Sequence, residues 1–99
     1  MRIQLVCFSL ICLVSVCTQA HEVTSVPEAF RESVNLSEFY QKYTHVGPLP
    51  ILGSATVSDF ALLEAAWLVE RVIGHRPDIL QALVDRDVRM VIMAYNEYT

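Results

Sequence analysis

The sequence predicts an α/β chain: a secretory leader over residues 1–20, a short helical lead-in over 21–47, and one incomplete β-α-α-β unit of a larger parallel or mixed sheet over 48–99. Three observations predict it. A capped segment from Ser58 carries apolar residues at helical spacing, Pro77 opens a second amphipathic segment, and both lie between two short apolar runs, Ile51-Leu52 and Met90 to Tyr95. Apolar runs on either side of helical segments are the pattern of parallel strands joined by a crossover.

The leader accounts for an otherwise high hydrophobic content. The chain has 99 residues, 54% of them hydrophobic and only 18% charged, yet the residues after position 20 are roughly half apolar, the ordinary globular level. Met1-Arg2 gives a positive start, Ile3 to Val16 is apolar apart from Gln4, Ser9 and Ser15, and Cys17-Thr18-Gln19-Ala20 ends in a small residue. This reads as a signal peptide cleaved before His21. The apolar run falls short of the ~20 residues of a membrane span. The expected location is therefore extracellular, with no membrane contact after cleavage. Bulky Val16 also disfavours a lipid anchor on Cys17. All the cysteines, Cys7, Cys12 and Cys17, fall in the leader, so the remaining chain has no disulfide staple of the kind small secreted domains rely on.

Beyond the leader, His21 to Val26 reads as a polar, irregular start. Pro27 and Glu28 suit a first helical turn running into Phe30 and Arg31. Ser37 suits an N-cap for a helix over Glu38 to Tyr43, with Phe39 and Tyr43 on one face. Gly47, Pro48 and Pro50 then force extended backbone, and Ile51-Leu52 reads as a short strand. In the helix capped by Ser58, the residues Leu62, Ala65, Ala66, Leu68, Val69, Val72 and Ile73 fill an arc of about 160°, the width of a face packed on a sheet. Phe60, Leu63 and Trp67 fall outside that arc, so the back of this helix also calls for a covering layer. Gly74 is the expected stop, Pro77 opens a helix with Ile79, Leu80, Leu83 and Val84 on one face, and Asp85-Arg86-Asp87 is a turn. Val88 to Tyr95 reads as a strand buried on both faces. The missing disulfides, the apolar helix back and the buried-type last strand together lead us to expect the N-terminal portion of a longer protein, completed by the rest of that chain or by a protein partner.

Little in the sequence carries chemistry. Removing Arg2 with the leader leaves six basic against eleven acidic residues, a balance that excludes a nucleic-acid binder needing a basic stripe. His21-Glu22 begins a zinc-peptidase pattern, but Ser25 stands where the second histidine is required. His45 and His75 are isolated loop histidines. A His21 freed by cleavage offers an amine and an imidazole to copper, without an evident second ligand. Gly53-Ser54-Ala55-Thr56 ahead of a helix resembles an anion seat only weakly, having one glycine and no lysine. Trp67 and Arg71 are spaced for a cation–π pair. The acidic residues are dispersed and lack calcium-ligand spacing. No catalytic, cofactor-binding or metal residue is assigned. Asn35-Leu36-Ser37 is an N-glycosylation acceptor triplet, and Asn35 is the one modification site the sequence nominates.

The segments Phe39 to Tyr43, Pro50 to Ser54, Val57-Ser58-Asp59, Ala61 to Ala66, Arg76-Pro77-Asp78 and Met93 to Thr99 together resemble the front part of a family of secreted zinc-metallopeptidase-like proteins. The resemblance implies a longer protein whose His-Glu-x-x-His helix and zinc follow Thr99. It assigns no catalytic residue to this chain and no role to Asn96 or Glu97. The readings kept beside it are a non-enzymatic acidic matrix or biomineral-associated protein and a small binding module that completes its sheet with a partner.

Overall fold

A computed structural model describes residues 21–97. The leader reading, with Cys7, Cys12 and Cys17, and the final Tyr98 and Thr99 lie outside the described residues. The elements run β1 (Thr24–Ser25), α1 (Glu28–Val34), β2 (Tyr40–Val46), β3 (Leu49–Ser54), α2 (Asp59–Ile73), α3 (Pro77–Asp85) and β4 (Met90–Ile92). The strands form one mixed four-stranded sheet in the order β1-β2-β3-β4. β1 and β2 pair antiparallel, as do β2 and β3, whereas β3 and β4 are parallel. The chain is therefore α/β, with the expected β-α-α-β unit formed by β3, α2, α3 and β4.

The lead-in differs from its expectation. Residues Tyr40 to Val46 are strand β2, not the second half of a helix capped by Ser37. The capping signal is real but closes a turn, with the Phe39 N–H donating to Ser37 Oγ at 3.1 Å. Strand pairing then prevails, because alternation buries Thr44 and Val46 on one face and β-branched and aromatic residues suit a pleated surface. The Gly47-Pro48 turn locks the arrangement, since Gly47 has φ +55° and leaves Val46 paired with Leu49. The irregular start also contributes a strand: Thr24 and Ser25 pair with Tyr43 and Lys42. The lead-in is thus half of the sheet rather than a helical prelude to it.

β3 is buried along its whole length, as the strand with neighbours on both sides must be. Val46, Leu49, Ile51, Val57, Leu62, Ala66 and Leu80 form the core between the sheet and the helices α2 and α3. Across the other face, Phe30 of α1 meets Tyr43 with ring centroids 5.9 Å apart. Arg31 fastens α1 to the turn before β2 by donating to the carbonyls of Ser37 (2.9 Å) and Tyr40 (2.8 Å).

α2 begins as expected. Ser58 Oγ accepts the Phe60 N–H at 3.0 Å, and Asp59 occupies the first turn. Lys42 of β2 ties that end to the sheet, its Nζ donating to the Val57 carbonyl at 2.6 Å and pairing with Asp59 at 2.7 Å. Gly74 is the C-cap but is right-handed, so the left-handed glycine stop is not used there. The following Pro77 starts α3 instead. The left-handed ends belong to other residues. Asn35 closes α1 (φ 54°), with Leu36 N–H bonded to Arg31 O, and Asp87 closes α3 (φ 60°), with Val88 N–H bonded to Leu83 O.

β4 is shorter than the Val88 to Tyr95 strand expected, and it is not doubly buried. Among the described residues it pairs with β3 alone, and Val91 and the following Met93 are each 37% exposed. The unbroken apolar run reflects a strand at the open edge of the sheet, with one face on α2 and the other partly bare.

Candidate functional site

Three features of the described residues are built for contact. The first is the outer face of α2. Leu62 and Ala66 are buried against the sheet, whereas Phe60 is 82% exposed and Trp67 50%; Leu68 (48%) and Val72 (68%), expected in the sheet-packed arc, are exposed too, because they fall at its margin, beyond the reach of the sheet. Phe60, Leu63, Glu64 and Trp67 rim one shallow hollow, and Leu68, Val69, Val72 and Ile73 rim another. Arg71 covers the Trp67 ring at 4.8 Å, as their spacing predicts. A solvated helix face is normally polar, whereas α2 carries apolar residues outside its core-facing side as well.

The second feature is the loop after β3, where the parallel strands β3 and β4 end beside the start of α2. No backbone N–H of the Ser54-Ala55-Thr56 loop seats an anion as an anion loop would; instead the Ser54 and Thr56 hydroxyls hold the chain's own Glu97 carboxylate. Ser54 Oγ and Thr56 Oγ1 both donate to Glu97 Oε1, the latter at 2.7 Å, and the Ala94 N–H donates to Oε2 at 2.9 Å. These donors hold the Glu97 carboxyl below the usual carboxylate range, the Ser54 hydroxyl contributing most. The site is closed on itself and pins the chain leaving β4 to the end of β3. Glu97 carries no local sequence signal, because apart from the nearby Ala94 N–H its partners are the Ser54 and Thr56 hydroxyls some forty residues away, which only the parallel pairing brings close.

The third feature is a recess at the β1 side of the sheet lined by His21, Thr24, Tyr43, His45 and Glu70, among others. His21 Nε2 is 3.7 Å from Glu70 Oε1 on α2, and His45 Nδ1 is 3.0 Å from the Gly47 carbonyl. Burial pushes the Tyr43 phenol up, so it stays protonated. The structure thus brings His21 and His45 to one recess, while His75 lies exposed in the α2–α3 link.

Asn35 is exposed at the left-handed end of α1, and Ser37 is exposed beside it. Among the described residues, no three His, Cys, Asp or Glu side chains converge as a metal seat. No helix among the described residues is long and apolar enough to cross a membrane. No family model, curated protein or solved structure matches the chain.

Proposed function

We propose that this chain is a secreted, non-catalytic α/β portion of a zinc-metallopeptidase-like protein, and that it docks an adjoining protein layer through the outer face of α2. The observation that carries the reading is the exposed part of α2, where Phe60 and Trp67 on one flank and Leu68 and Val72 on the other stand in solvent on a helix whose remaining side already fills the core. Burying such a patch gains roughly 25 cal/mol per Å² of apolar area, so a complementary layer is strongly favoured over water. The open, apolar edge of β4 supports the same reading, since an unpaired strand edge accepts another strand. The family part rests on the sequence segments between Phe39 and Thr99, and the secreted part on the leader.

The complete transcript tests the family part. It should encode a downstream His-Glu-x-x-His helix, and a long open frame without one would favour the matrix protein instead. In a eukaryotic secretory host, Asn35 should carry a glycan that a glycosidase removes with the corresponding mass loss. An unchanged mass in a secreted, leader-free product would remove that modification.

A further inference from the structure

The two edges of the sheet are finished differently. β1 is only two residues long, both of them exposed, and Pro27 follows two places on. Short length and a nearby proline are devices that keep a strand edge from pairing. β4 has neither. Its register against β3 is continuous, and Met90-Val91-Ile92-Met93-Ala94-Tyr95 contains no proline and no charge. Val88, Val91, Met93 and Tyr95 are exposed along it, Tyr95 to 98%. Among the described residues no second strand pairs with it.

Opposite charges stand at the two ends of this edge. Arg86, Asp87 and Arg89 precede β4 and together leave one net positive charge. The ion pairs among the described residues, His21–Glu70, Arg31–Glu38, Lys42–Asp59 and Arg76–Asp78, include none of the three. Glu97 follows β4 and is held by two hydroxyls and an N–H, all uncharged donors. Two such strands match in one sense only. Antiparallel pairing sets the basic end of each against the acidic end of the other, whereas parallel pairing sets like against like. A two-fold axis between two copies imposes the antiparallel sense.

We propose that the occupant of the β4 edge is β4 of a second copy of this chain, the two pairing antiparallel so that their sheets become one, with Arg89 of each copy beside the Glu97 end of the other. Main-chain hydrogen bonds hold the strands, the apolar residues from Val88 to Tyr95 exclude water, and the end charges fix the direction. The inference rests on the docking reading for the open edge and names its occupant there; the outer face of α2 takes no part. A strand pair of this length buries less than the ~1,200 Å² of a stable interface, so the dimer is reversible and depends on concentration.

The test uses the complete chain secreted from a eukaryotic host, followed by sedimentation equilibrium and amide hydrogen exchange from micromolar to millimolar concentration. The mass should rise from one chain to two, with β4 amides gaining protection over the same range, and added salt should weaken the association. Val91→Lys puts a charge on the edge and should abolish the dimer. Arg89→Glu makes both end contacts repulsive and should weaken it roughly 10-fold or more. Both residues are exposed, so circular dichroism should show each variant folded. A single-chain mass at millimolar concentration, or a dimer that either folded variant leaves intact, overturns the pairing. Covalent labelling separates this from the docking reading: a dimer that covers Phe60 and Trp67 while the β4 amides stay unprotected overturns the β4 pairing and leaves the α2 face as the docking surface.

Discussion

Gly47, Ser58 and Glu97 each fix one junction of the molecule. Gly47 turns β2 into β3 with a positive φ, and a Cβ there would meet Leu80 Cδ1 at 3.3 Å. Gly47→Ala should therefore cost about 1–2 kcal/mol from the left-handed backbone alone, measured as a lower urea midpoint at unchanged slope. Glu97 acts through its charge. Its carboxyl titrates lower in the folded chain than in the unfolded one, so its stabilisation is present above the unfolded pKa and is lost as pH falls through the folded one. Denaturation midpoints should fall on acidification below the usual carboxylate range, and Glu97→Gln should flatten that dependence. An identical pH profile in the variant would mean that the Ser54 and Thr56 hydroxyls stabilise nothing through it. The Ser58 cap was legible in the sequence because its partner is two residues away, whereas the Glu97 contact was not, because the Ser54 and Thr56 hydroxyls lie some forty residues away at the end of β3 and in the loop after it.

At the scale of elements, α2 has two faces with different energetics. Leu62→Ala removes a side chain with no exposure and should cost about 2–5 kcal/mol. Trp67→Ala on the outer face removes a half-exposed ring and its Arg71 stack and should cost the isolated chain no more than about 1 kcal/mol. A loss at Trp67 comparable to that at Leu62, seen in thermal or urea unfolding, would mean that the outer face is already packed. The helices α2 and α3 were legible because caps and helical periodicity are local. β2 was not, since Ser37 and the Phe39–Tyr43 spacing imitate a helix start, and only pairing with β1 and β3 decides between the two. The extent of β4 was hidden for a related reason: Met90 to Tyr95 is apolar throughout, and composition does not distinguish a strand covered on both faces from one at an edge.

For the whole molecule, the segment expected to precede the sheet is part of it, and the sheet is mixed, with an open edge at β4 and an apolar helix on its outside. The functional reading depends on whether that outside is covered in the working protein. Covalent surface footprinting with mass spectrometry measures this directly, comparing the product secreted from the complete transcript with the isolated chain of residues 21–99. Strong labelling of Phe60, Trp67 and Val72 in the isolated chain and their protection in the complete product is the predicted result, with Leu62 protected in both. Equal labelling of Phe60, Trp67 and Val72 in the two samples would contradict the assignment of α2 as a docking face.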